Sequence, residues 1–152
     1  MSLPNIFTKE VSARIIERIN QLQQNSVAKW GTMNVAQMLA HCNVTYEMVY
    51  ENTHKKPNFL MSIIFKMLVK KIVVNEVPFK KSAQTAPAFL VKEQKDFEKE
   101  KNRLIAYINK TQALGISHFE GKHSLSFGAL TATEWNNMFY KHLNHHLQQF
   151  GV

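Results

Sequence analysis

Cys42 is the only cysteine in 152 residues. No internal disulfide can form, and the simplest setting is a reducing compartment, the cytoplasm. Five glycines and four prolines are few for this length, which disfavours a turn-rich β fold and leaves room for long uninterrupted helices. Arginine occurs only at Arg14, Arg18 and Arg103, so the commonest specific reader of base edges is scarce. No run approaches the ~18 consecutive apolar residues that a membrane span requires. The opening residues, MSLPNIFTKEV, lack the basic-then-apolar order of a signal peptide.

Acids are scarce as well: 11 against 19 lysines and arginines, for a formal charge of +8. Seven lysines and one acid, Glu76, fall between Lys55 and Lys81, so that stretch carries a net +6. A basic block can serve nucleic acid or an anionic membrane surface. These lysines, however, are set in the mostly apolar run NFLMSIIFKMLVKKIVV, which favours the solvated edge of a short amphipathic helix over nucleic-acid binding. With 45% hydrophobic and 20% charged residues, the composition is that of a globular protein. The length suits a single domain over 1–152, burying about 70% of the unfolded chain's surface.

Apolar residues at helical spacing divide the chain into four long helices. The first covers about 7–24, with Val11, Ile15, Ile19 and Leu22 on one face. The second covers 34–52. Asn34 is its N-cap and Gln37 completes a capping box, and its stripe contains Val35, Met38, Leu39, Cys42, Tyr46 and Val49. The third covers 88–110, with Leu90, Phe97, Leu104, Ile105 and Ile108 facing inward. The fourth covers 131–150 and opens on a second capping box, Thr131 with Glu134. Some 35 residues separate helices two and three, too many for a bare loop. They are expected to hold a short helix over 59–71, an extended stretch at IVV before Asn75, and breaks at Pro78 and Pro87. A connection this long lets helices two and three run parallel, giving an all-α four-helix bundle with one crossover.

The last helix holds three histidines within five positions, in YKHLNHHLQQFGV. At about 100° per residue, His142 and His146 share an arc with Trp135, Met138 and Phe139. His145 falls at the edge of that arc, and Asn137 and Asn144 point the other way. Histidine near a helix C-terminus gains from the dipole, which accounts for His145. Two imidazoles turned into a core need partners for their nitrogens, and a metal shared at i, i+4 spacing supplies one to each. A bundle site takes a further ligand from a facing helix. His54, His118 and His123 fall in expected loops. His41 lies on the flank of the second helix's stripe and Cys42 nearer its centre, and either is a candidate.

His41 within QMLAHC, followed about a hundred residues later by His142-x-x-x-His146, resembles the DinB-like (YfiT-like) superfamily of metalloenzymes. WGTMNVAQMLAH, FLVKEQKDFEKEKNRL and FGALTATEWNNMFYKHLNHHLQQFGV extend the likeness over most of the chain, to an uncharacterised branch of unknown function. The resemblance implies an up-down-down-up four-helix bundle and a divalent ion, zinc or nickel, held by His41, His142 and His146. It selects His41 over Cys42 and leaves His145 outside the site. The superfamily often reads His-Arg-Gly-Gln from the second histidine of the pair, where this chain has HLQQ. Activities known in the superfamily include transferases and isomerases that use low-molecular-weight thiols, so the resemblance implies a small-molecule, electrophilic substrate and a thiol partner; the basic block at 55–81 points instead to steering of an anionic substrate.

Three neutral imidazoles leave a divalent ion with its full charge and an open position, the catalytic arrangement. A water or thiol beside it becomes a stronger acid. The zincin motif is absent, because Leu143 stands where that motif has glutamate. Glu100 shares the inward stripe with Phe97 and Leu104, and could orient a ligand or take a proton; the plainer expectation is a salt bridge to Lys99 or Lys101. Tyr46 and Trp135 read as core. The leading expectation is a metal-dependent enzyme acting on a small molecule. Its rival is a non-catalytic metal- or ligand-binding module, or a stress-associated interaction protein. Pairing of two copies through 59–74 is a further expectation.

Overall fold

The computed structural model describes residues 2–152 and shows an all-α bundle. Its elements are α1 (Lys9–Gln21), α2 (Val35–Tyr50), α3 (Phe59–Ile64), α4 (Lys70–Val74), α5 (Phe97–Phe119) and α6 (Ala132–Gln149). A π-helical turn over Phe65–Val69 joins α3 to α4, and a 3-10 turn over Pro87–Phe89 precedes α5. The most extensive packing is between α2 and α5; α1 and α6 close the bundle against them.

Sequence chemistry sets the helix starts. Thr8, Asn34, Asp96 and Thr131 each accept a hydrogen bond from a backbone N–H in the first turn of the helix they cap. Asn34 with Gln37, and Thr131 with Glu134, form complete capping boxes. Each cap is worth about 1 kcal/mol. Inside, Tyr107, Tyr46, Phe139 and Trp135 stack in a row, with ring centroids 5.6, 5.0 and 5.4 Å apart. Ile15, Ile19, Leu39, Leu104 and Ile108 fill the space around them, each burial contributing roughly 1.5–3 kcal/mol. Tyr46 and Trp135 are therefore core, as the stripes require.

The third long helix departs from the sequence reading at both ends. It begins at Phe97, because the backbone before it is committed elsewhere. The Lys92 and Glu93 carbonyls accept from the Gln37 side chain, and the Phe89 carbonyl accepts from His41. Leu90, expected to face inward, stands 53% exposed. At its far end the helix continues to Phe119 through a break at Gly115, whose φ of 72° suits a residue without Cβ. This places His118 in the final turn rather than in a loop. A short hairpin, β1 (His123–Ser124) with β2 (Gly128–Ala129), then leads to α6.

The crossover is more helical than its composition suggests. The IVV stretch belongs to α4 and is not extended. Two side chains of α6 satisfy the helix end that α4 presents: Lys141 donates to the carbonyls of Ile72 and Asn75 and to the Asn75 side chain, and Asn137 donates to Val74. Asn137, placed on the outer face by its angle, is therefore buried beneath the crossover. No helix among the described residues is long and apolar enough to cross a membrane.

Candidate metal centre

Three histidines meet where α2 crosses α6. His41 comes from α2, and His142 and His146 lie one turn apart on α6. A nitrogen from each lies within 4.8 Å of those from the other two. His41 and His146 are buried, and His142 keeps part of its surface accessible. Ring centroids are 4.9 Å apart for His41 and His142, 4.5 Å for His41 and His146, and 4.9 Å for the pair on α6. Sequence angles put His41 on a flank, yet it is only 4% exposed. The Phe89 turn covers that flank, its ring 5.5 Å from His41 and 6.0 Å from His142.

Every Nδ1 in the cluster already has a partner. His41 Nδ1 lies 2.9 Å from the Phe89 carbonyl. A carbonyl only accepts, so Nδ1 carries the proton and Nε2 presents a lone pair. His146 Nδ1 lies 2.7 Å from Gln149 Oε1. The amide of Gln149 is oriented by its other end, where Nε2 donates to the Trp30 carbonyl at 2.6 Å; its oxygen must therefore face His146. His142 Nδ1 lies 3.0 Å from the Thr45 hydroxyl, which can donate or accept. The Nε2 atoms of His41 and His142 are 2.9 Å apart. With lone pairs on both they would repel, unless a proton or a cation lies between them.

Protonation is disfavoured here. Burial pushes the His142 pKa well below the usual imidazole range, and neighbouring His146 and His41 push the same way. His146 falls to about 3, mainly through burial and then through His41. Burial also lowers His41, against the bond to Phe89. The site thus keeps neutral imidazoles with converging nitrogens, each ring backed at Nδ1 by a hydrogen-bonding group. This is the donor set that borderline divalent ions prefer, and the partners at Nδ1 fix ring orientation as they do in metal sites generally.

His145 lies outside the cluster, half-buried and edge-on to Trp30 and Phe79 at 5.8 Å from each. It is therefore less exposed than its place near the helix end suggests. His54 pairs with Glu47 at 2.8 Å, while His118 and His123 are exposed. Cys42 is buried away from the cluster with its thiol 3.8 Å from the Met38 sulfur, and burial pushes its pKa up. Glu100 is buried, but its carboxylate accepts from Asn43 at 2.8 Å and from Arg103 at 2.9 Å. The salt bridge thus goes to Arg103, three residues on, rather than to a lysine.

Three supporting residues escaped the sequence reading. Thr45 had a signal, since it follows His41 by one turn on the same face. Gln149 had one too, three positions after His146. Phe89 had none, because 48 residues separate it from His41. Gly31 belongs with them: its φ is 80°, and a Cβ there would lie 2.6 Å from Gln149 Nε2. Only glycine lets the 30–31 backbone come this close to the amide that orients His146.

No curated protein and no solved structure matches the chain. The profile of the protein family of unknown function DUF1569 covers residues 7–151, and the chain belongs to that family.

Proposed function

We propose that this protein is a metal-dependent enzyme whose three-histidine centre, His41, His142 and His146, holds a divalent ion, zinc or nickel, and acts on a small molecule. The observation that carries the proposal is the convergence of the three rings, with His41 and His146 fixed through Nδ1 so that Nε2 is left as the donor. Three neutral donors would leave the ion its charge and an open position, so it would supply Lewis acidity and make a water or thiol beside it a stronger acid.

The remaining steps belong to the chain. Thr45 holds the His142 ring and can accept from or donate to Nδ1 as the tautomer requires. Gln149 holds His146, and Glu100 steadies α2 through Asn43, two residues from His41. Phe89 lies over the His41 and His142 rings, so a substrate would enter by displacing the 87–89 turn. The likeness to the DinB-like superfamily supports an up-down-down-up bundle over a single domain. It also supports transfer or isomerisation with a low-molecular-weight thiol as co-substrate. Glu100 is a further candidate, as a proton carrier.

A second reading, a metal- or ligand-binding module without turnover, is favoured by one observation: Phe89 lies directly on the cluster. Metal analysis of the purified protein, then assay of the metal-loaded form with small thiols and electrophilic acceptors, separates the two. Stoichiometric metal with thiol-dependent product formation supports the enzyme. Stoichiometric metal with no turnover over a broad panel supports the module. Absence of metal after growth and refolding with zinc or nickel removes both.

A further inference from the structure

The crossover helix has an outer face with no partner among the described residues. Nine of the thirteen large apolar side chains exposed among the described residues fall between Phe59 and Val77. Phe59 is 83% exposed, Met67 72%, Leu60 66%, Leu68 65% and Ile72 60%. Ser62, Phe65, Val69 and Val73 form the half-buried side of the same helical segment. The charged side chains from Lys55 to Val74 are all of one sign. Lys70 reaches back to Glu134 at 2.9 Å, and Lys66 lies against the hairpin at Gly128. Lys55, Lys56 and Lys71 are exposed and have no acidic partner among the described residues.

A contiguous exposed apolar patch of this kind marks an interaction surface, and its charge narrows the choice of occupant. In a two-fold pair of antiparallel crossover helices, Lys71 of one copy would face Lys55 and Lys56 of the other, with no acid between them. Nucleic acid would answer the lysines but not Phe59, Leu60, Met67 and Leu68. A surface of anionic lipid answers both, with acyl chains for the apolar rows and headgroups for the lysines.

We propose that the 59–74 helix docks this protein in the plane of an anionic membrane surface, with Phe59, Leu60, Met67, Leu68 and Ile72 inserted and Lys55, Lys56 and Lys71 at the headgroups. The proposal does not depend on the metal centre.

The test is flotation of the full chain with vesicles of phosphatidylcholine alone, or of equal parts phosphatidylcholine and phosphatidylglycerol. Two combined variants change only exposed positions. One carries Phe59→Ser, Leu60→Ser, Met67→Gln and Leu68→Gln; the other carries Lys55→Gln, Lys56→Gln and Lys71→Gln. Unchanged melting temperatures show that both fold. The wild type should float only with the anionic vesicles. The lysine variant should bind about a hundredfold more weakly, from roughly fivefold per lysine, and the apolar variant should not float. A wild type that binds neither vesicle overturns the proposal, as does an apolar variant that floats undiminished. Sedimentation showing a wild-type dimer that the apolar variant splits assigns the face to a second copy and overturns it equally.

Discussion

The Nε2 atoms of His41 and His142 lie 2.9 Å apart, although 101 positions separate the two residues in the chain. Nothing local brings them together. The capping boxes at Asn34 and Thr131 set where α2 and α6 begin, and the aromatic row through Tyr46 and Phe139 sets how the two helices face each other.

Removing a ligand should remove the ion. His41→Ala, His142→Ala and His146→Ala are each expected to lose stoichiometric metal, whereas His145→Ala keeps it. Binding adds about 2.7 kcal/mol at a hundredfold excess over the dissociation constant, or roughly 5–10 °C in melting temperature for a chain of this size. A chelator should therefore lower the melting temperature of wild type and His145→Ala and leave the other three almost unmoved. Metal retained by His146→Ala but lost by His145→Ala would overturn the assignment.

The groups behind the rings should tune affinity without abolishing it. Thr45→Val and Gln149→Leu each remove the partner of one Nδ1, and each is expected to weaken metal binding about 10–100-fold. Thr45→Ser restores the hydroxyl and should recover most of that loss. Competition with a chromophoric chelator measures both, and equal affinity in Thr45→Val and wild type would show that the hydroxyl plays no part.

Acid should destabilise the metal-free protein through the cluster. His41, His142 and His146 all titrate below their ordinary value near 6.5. As pH falls through 6.5 the unfolded chain takes up protons that the folded cluster refuses, so stability is full above that pH and declines below it. For His146 the decline runs down to about pH 3, and by pH 5 it amounts to about 2 kcal/mol. Between about pH 7 and pH 5 the urea midpoint of chelated wild type should fall more steeply than that of His146→Gln. Parallel pH profiles would contradict this.

Gly31 offers a remote test of the same geometry. Gly31→Ala puts a methyl into the Gln149 amide and strains a positive φ, at a cost of about 1–3 kcal/mol. It should lower metal affinity as well as melting temperature, because the displaced amide is the one that orients His146. A loss of stability with unchanged affinity would detach the 30–31 turn from the site.

The helices and the His142–His146 pair were legible because they rest on period and chemistry, whereas His41 was separated from Cys42 only by the family resemblance. Val11, Ile15 and Ile19 repeat at helical spacing, and Asn34 and Thr131 announce their helices. His142 and His146 share an arc with Trp135 and Phe139, which are core. What failed depended on contacts between distant segments. Nothing near Leu90 shows that the Phe89, Lys92 and Glu93 carbonyls are taken by α2, so a continuous helix looked reasonable there. Asn137 looked solvent-facing because the crossover that buries it has no sequence mark. The β-branched IVV run looked extended, but tertiary hydrogen bonds from Lys141 and Asn137 hold it as helix.

Gln149 links the end of α6 to the 29–31 turn in both directions: its amide donates to the Trp30 carbonyl, and its own carbonyl accepts from the Lys29 N–H at 2.7 Å. A ligand that immobilises His146 therefore also immobilises, through this one residue, a turn over a hundred positions away. Local opening of either segment breaks the same bonds, so amide hydrogens at the end of α6 and at Lys29 should exchange with solvent as one unit. Their exchange should slow together when the centre is loaded.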